Sequence, residues 1–228
     1  MINHIVNKIL RCSCCGHTIF DQYYIDHYGN VACTNHDISQ CFCCHRFCSP
    51  KESIKVEGYG YFCKECQNRI VDGDSAVRIA RLVNKFYLNN GVNIPQYSLH
   101  IVKSERMIAE ANNIKPLGLA YSTQPYKILM LRHMSRTGFA GVLAHEVLHL
   151  WQYRNNIKLP LLLCEGLCEM GSYIFLKSIA KQEADIHLKC LAENDDEIYG
   201  NGYRIFQKVF DRFGWKGVIK AAFLKSQH

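Results

Sequence analysis

His145-Glu146-Val147-Leu148-His149 is the stretch on which this chain turns. Imidazoles at i and i+4 share one face of a helix, so both rings can reach one ion while the carboxylate between them stands alongside. That is the pattern of a hydrolytic zinc site, with His145 and His149 as ligands and Glu146 as general base. The surrounding residues support a helix from Phe139 to Tyr153. Phe139, Val142, Leu143, Val147, Leu150 and Trp151 recur mainly at spacings of three and four, with no proline among them. Ser135 or Thr137 is expected to cap its start, and Asn155-Asn156 followed by Pro160 to end it.

A catalytic zinc needs three protein ligands and one open position. The third is expected in Leu163-Cys164-Glu165-Gly166-Leu167-Cys168-Glu169, which opens a second apolar helix running to about Ala180. Glu165 supplies it. Glu169, four residues on and on the same face, is placed to accept a hydrogen bond from a ligating histidine. Two carboxylates among Leu161, Leu162, Leu163, Leu167, Met170, Tyr173, Ile174 and Phe175 ask for a cation, because buried charge is costly unless paired or coordinated. This part of the chain resembles the gluzincin peptidases, where a glutamate ligand follows on a second helix, often from a Glu-Gly step. Glu165 matches that step and Glu169 is the reserve.

Ten of the thirteen cysteines lie between Cys12 and Cys66. Four pairs have the two-residue spacing of metal knuckles: Cys12 with Cys15, Cys33 with His36, Cys41 with Cys44, and Cys63 with Cys66. The gaps inside the two modules are seventeen and eighteen residues. This near-repeat implies two structural zinc ions, one on Cys12, Cys15, Cys33 and His36, the other on Cys41, Cys44, Cys63 and Cys66. Cys14, Cys43 and Cys48 are left over, and Cys48 is the first candidate to replace a ligand. Short hairpins are expected at Tyr23–Asp26 with Tyr28–Val31, and at Ile54–Val56 with Tyr59–Phe62. Modules this small need the metal to fold. They resemble LIM domains or tandem treble clefs, although four residues rather than two separate His36 from Cys41.

Residues 1–70 are therefore read as a double zinc module and 71–228 as a peptidase domain, an α+β chain of the zincin-like class. In the second part a helix is expected over Ser75–Tyr87, capped by Asp74 or Ser75, with strands at Ser98–Lys103, Leu117–Ser122 and Lys127–His133. Gly118-Leu119-Ala120 is the candidate edge onto which a substrate strand could add. His100 and His133 are read as structural. Ile198-Tyr199-Gly200-Asn201-Gly202-Tyr203-Arg204 precedes an amphipathic helix, its glycines allowing close backbone approach. Tyr199 or Tyr203 could donate to an oxyanion or simply pack.

The formal charge is +7, and counting metal thiolates changes it little. The basic residues are dispersed, so a nucleic-acid partner is not indicated. No apolar stretch of membrane length and no signal-like start is present, which points to the cytoplasm, where zinc thiolates persist.

Taken from the cysteine modules through His145-Glu146-x-x-His149 and Glu165-Gly166 to Tyr199–Arg204, the chain resembles the DA-one family of LIM-bearing zinc peptidases. The resemblance implies a zinc-dependent endopeptidase acting on protein or peptide substrates, with one catalytic and two structural zinc ions. The LIM-like part would serve recognition or regulation, including binding of a protein partner. The alternative from another class is an adaptor that binds proteins through its zinc module while the peptidase fold is latent.

Overall fold

The computed structural model describes residues 2–3, 9–179 and 182–226. It begins with short strands, β1 (Ile2–Asn3), β2 (Leu10–Arg11), β3 (Thr18–Ile19), β4 (Tyr23–Ile25), β5 (Val31–Cys33), β6 (Ile54–Val56) and β7 (Gly60–Phe62), and one helical turn, α1 (Lys64–Gln67). Antiparallel ladders join β2 to β3, β4 to both β1 and β5, and β6 to β7. Strands of two or three residues bury too little to be stable alone, so these hairpins depend on what ties their ends together. The two modules open on the same turn. Gly16 N–H donates to the Cys12 carbonyl and His45 N–H to the Cys41 carbonyl, each at 2.8 Å. Both Gly16 (φ 80°) and His45 (φ 60°) are left-handed, which is free for glycine and costly for histidine.

The second part holds α2 (Gly73–Asn89), β8 (Ser98–Val102), α3 (Ser104–Glu110), β9 (Gly118–Ala120), β10 (Lys127–Leu131), α4 (Arg136–Arg154), α5 (Leu161–Lys177), α6 (Gln182–Ala192) and α7 (Tyr199–Lys225). The whole is mixed α+β, small sheets with helices. Central β10 pairs in parallel with β8 and antiparallel with β9, which makes β9 an edge strand. Its residues Ile128 to Leu131 are fully buried, the pattern of a strand covered on both faces.

Several boundaries differ from the sequence expectations, each for a local reason. α2 starts two residues early because Asp72, not Asp74 or Ser75, is the cap, its carboxylate accepting from Ser75 N at 2.7 Å. Ser135 rather than Thr137 caps α4, accepting from Gly138 N. α5 begins at Leu161 directly after Pro160 and runs to Lys177; the expected end near Ala180 lies outside the described residues. Tyr199–Arg204 does not precede the last helix but forms its first turns, because Asp196 Oδ1 accepts from Ile198 N and Tyr199 N at 2.8 Å and nucleates them. That helix breaks direction at Gly214, whose φ is 63°.

The packing boundary does not fall at residue 70. One continuous apolar core joins Val56, Phe62 and Cys41, Cys44, Cys63 and Cys66 to β10, α4, α5 and α7. The first module keeps a separate small cluster of Cys12, Cys14, Ile19, Tyr23, Ala32, Cys33 and Phe47. Among the described residues, no helix is long and apolar enough to cross a membrane.

Candidate metal centres

α4 is apolar nearly all round, so it is buried nearly all round, and its polar residues are the exceptions that need partners. Tyr87 donates to the Ala144 carbonyl at 2.8 Å from α2. Gly171 lets α5 lie close, since a Cβ there would stand 2.0 Å from Leu148. This close crossing carries the acidic residues of α5 to the histidines of α4. His145 Nε2 stands 3.1 Å from both His149 Nε2 and Glu165 Oε2, and His149 Nε2 lies 3.4 Å from the same oxygen. The edge of a tetrahedron with metal–ligand bonds of about 2.0–2.1 Å is roughly 3.3 Å, so three donors at these separations suit one four-coordinate ion with a position to spare.

The outer nitrogens are also held. Glu169 Oε1 lies 3.3 Å from His145 Nδ1, and the sulfurs of Cys168 and Cys164 lie 3.5 and 3.7 Å from His149 Nδ1. Gln152 donates to the Cys168 sulfur at 3.0 Å. Cys168 and Cys164 can also be grouped with the histidines as potential ligands, but they touch the nitrogen facing away from Glu165, so orientation of His149 is the better account. Sequence reasoning assigned these two cysteines no role. Their i, i+4 spacing beside Glu165 was the signal that could have done so.

Burial depresses the imidazole of His145, yet the Glu165 and Glu169 carboxylates outweigh it and hold the ring well above its ordinary range. Glu165 responds in kind: burial would raise it, but the two histidines bring its carboxyl well below the usual carboxylate range. This mutual stabilisation marks a pocket that favours positive charge.

Glu146 is buried beside these rings without contacting the gathered donors. Burial pushes its carboxyl up, while His145 and His149 pull against it. Its place depends on Gly118, where a Cβ would come within 2.6 Å of Glu146 Cγ. Along β9, Leu117 and Tyr121 bond back to β10, so by alternation Gly118 and Ala120 turn their amides and carbonyls outward. The cleft between this edge and α4 has a volume of about 730 Å³ and is lined by Glu146, Tyr153 and Tyr199 as well as the donors. Tyr199 lies with its ring 6.4 Å from that of His145, and burial followed by the nearby carboxylates pushes its hydroxyl up to about 12, so it is a donor at neutral pH. Tyr203 instead donates to Gln207 inside the helix pair and stays out of the cleft. His100 meets Ser98 and His133 packs its ring on Phe62, both away from the cleft.

Glu165 precedes Gly166 for a packing reason. A Cβ on Gly166 would fall 2.3 Å from the Gly202 backbone, and one on Gly202 would fall 2.3 Å from the Leu162 carbonyl. The two glycines let α5 and α7 cross backbone to backbone, which brings Tyr199 over the cleft.

The amino-terminal donors gather in the expected groups, Cys12, Cys15, Cys33 and His36, and Cys41, Cys44, Cys63 and Cys66, and each group could hold a metal ion. The Cys41–Cys66 and Cys44–Cys63 sulfurs are 3.9 and 3.7 Å apart, and Cys15–Cys33 3.9 Å. Tetrahedral thiolates at about 2.3 Å from zinc are separated by roughly 3.8 Å. His36 Nδ1 is paired with the Asp37 carbonyl, which leaves Nε2 facing Cys12 at 3.3 Å. Burial disfavours the Cys12 thiolate, but the amides of Cys15, Cys33 and Cys14 bring its thiol down to about 6. Cys48 joins neither group and burial pushes it up to about 11. Cys14 faces the Ser39 carbonyl and Cys43 faces Ser135.

Comparison with protein-family models, with curated proteins and with solved structures finds no match. Geometry and chemistry alone carry the functional reading.

Proposed function

We propose that this chain is a zinc-dependent endopeptidase with a gluzincin-like catalytic domain and an amino-terminal LIM-like double zinc module, as in the DA-one family. The observation that carries the reading is the convergence of His145 Nε2, His149 Nε2 and Glu165 Oε2 beside the buried carboxylate of Glu146. Two further zinc ions on the amino-terminal groups would be structural.

A zinc ion held by His145, His149 and Glu165 would supply Lewis acidity toward the scissile carbonyl and make water acidic enough to attack at neutral pH. The chain does the rest. The outward amide and carbonyl of Gly118 and the carbonyl of Ala120 pair with an extended substrate strand and fix its register, while the Ala120 amide faces Glu146. Glu146 takes the proton from the attacking water and later gives it to the leaving amine. Its burial favours this, because a raised carboxyl pKa makes it a better base for a water proton. Tyr199 donates to the oxygen that gains charge. Glu169 and the Cys164–Cys168 pair hold the two imidazoles in the tautomer that leaves Nε2 free. Thirteen free cysteines suit the reducing cytoplasm.

The test is Glu146→Gln on the purified, zinc-loaded chain. It should keep its full zinc content while cleavage of a fluorogenic peptide library falls by about 10²–10⁴-fold, the usual contribution of a general base. Cleavage at the wild-type rate would remove Glu146 from the mechanism. The adaptor reading draws on Ile9 and Phe20, which the first module exposes; it requires a partner to bind equally well when Glu146 or His145 is replaced.

A further inference from the structure

The cleft beside Glu146 shares a wall with a second space. Leu117, Gly141, Val142, Glu169 and Ser172 line it and also line a second chamber of about 630 Å³. The far walls of that chamber come from three regions. Ile25, Asp26 and His27 belong to the first cysteine module, Gln40, Phe42 and His45 to the second, and His187, Cys190 and Leu191 to α6.

Its distance from the catalytic site follows from the helix that floors both spaces. His187 Cε1 lies 3.7 Å from the Cβ position of Gly138, which is seven residues before His145 on α4. Seven helical residues rise about 10 Å. That is about three residues of extended polypeptide.

We infer that the chamber is a substrate subsite, about three residues from the scissile bond, that takes a bulky apolar or aromatic side chain of an extended polypeptide and is completed by both cysteine modules. The inference rests on the peptidase reading, because the occupant enters from the cleft. Its walls suit such a side chain. Phe42, Leu117, Met134, Leu176 and Leu191 are apolar, and the charged groups present are already engaged. Asp26 accepts from the Tyr28, Asn30 and Phe47 amides, and Glu193 pairs with His27 at 3.2 Å. Burial pushes the His187 imidazole down, and its Nε2 is buried with no hydrogen-bond partner among the described residues.

His45 is a second, independent pointer. It occupies the turn position at which the first module uses Gly16, and it holds the same left-handed conformation. A histidine kept where glycine is easier, with its side chain lining a chamber, is strain retained for what the side chain does.

The experiment compares two peptides with the same scissile core, one of four residues and one extended at both ends by four residues containing Phe and Leu. Binding is measured by fluorescence anisotropy on zinc-loaded Glu146→Gln chain, and cleavage on the otherwise wild-type chain. The longer peptide should bind about tenfold or more tightly, the worth of burying one large apolar side chain. Gln40→Trp, which fills the chamber from an exposed position, should abolish that gain while leaving zinc content and short-peptide binding unchanged. Cys190→Trp from the opposite wall should do the same. Equal binding of both peptides, or a length gain that survives both tryptophans, overturns the subsite. If the gain depends on Gln40 but neither peptide is cleaved, the chamber stands as a side-chain pocket for polypeptide, while the peptidase reading and the spacing from a scissile bond fall. If both are cleaved alike with no length gain, the reverse holds.

Discussion

The two cysteine modules are near-copies in sequence and unlike in place. Each opens with a C-x2-C turn, pairs short strands and closes on a second ligand pair. Yet the first has an exposed ligand in Cys15, a half-buried one in His36, and a small cluster of its own. The second has four buried ligands inside the main core. Its Cys43 sulfur accepts from Ser135 N at 3.3 Å, at the cap of the helix that carries His145 and His149. Repeating a metal module therefore does not repeat its place: the first packs around a small cluster shared with Phe47 and meets the main core through Tyr28, while the second has all four of its donors inside that core.

The largest effect that could break this contrast comes from removing the metals one at a time. A structural zinc is worth on the order of 10 kcal/mol, comparable to the whole stability of a domain. Cys63→Ser should therefore unfold the helical half as well as the second module, with loss of any metal held by His145, His149 and Glu165. Cys12→Ser should leave the helical circular dichroism and the other two metals in place. If both variants lower the main thermal transition equally, the modules are mechanically equivalent and the contrast fails.

A smaller effect sharpens it. Glu183 on α6 accepts from Ser135 Oγ at 2.7 Å, Thr137 Oγ1 at 3.0 Å and Arg69 at 3.2 Å, tying the second module to the start of α4. Glu183→Ala strands two buried hydroxyls, so a loss of about 2–4 kcal/mol is expected in denaturant unfolding. A change near zero would mean that the shared core, rather than this polar knot, holds the join.

The smallest effect lies at the group of His145, His149 and Glu165. Cys168→Ala removes a contact to His149 Nδ1 without touching Nε2, and orienting contacts of this kind are worth about 10–100-fold in metal affinity. Competition with a zinc chelator reads it, and Cys14→Ala, far from the site, serves as the comparison. Equal affinity in both would assign the orientation of His149 to Cys164 or to packing alone.

Much of the site could be read from the sequence because it is written at helical spacing. His145 and His149 are four residues apart, Glu165 and Glu169 are four apart, and each cysteine pair is separated by two residues. Local spacing is enough for a chain to reveal which side chains share a face. What could not be read depends on contacts between distant segments. Nothing near Gly118 announces that Glu146 needs its missing side chain, and nothing near Glu183 announces Ser135. Tyr199–Arg204 reads in sequence as leading up to the last helix, yet Asp196, which accepts from the Ile198 and Tyr199 amides, and the crossing of Gly202 with Gly166 make it the helix's first turns. The division at residue 70 rests on where the ligand pairs end, and that spacing carries no sign that Phe62 and Val56 pack into the same core as β10.

Cys43 and Ser135 are 92 residues apart in the chain. A ribosome adding about 5–20 residues per second takes roughly 5–20 s to deliver the second after the first. For that interval the second cysteine module waits with the face that will meet the later helices uncovered and with a thiol that has no neighbour. Its early metal loading and its late burial are thus separate events in the life of each new molecule, and a delay in either leaves the same sticky, oxidisable surface in view.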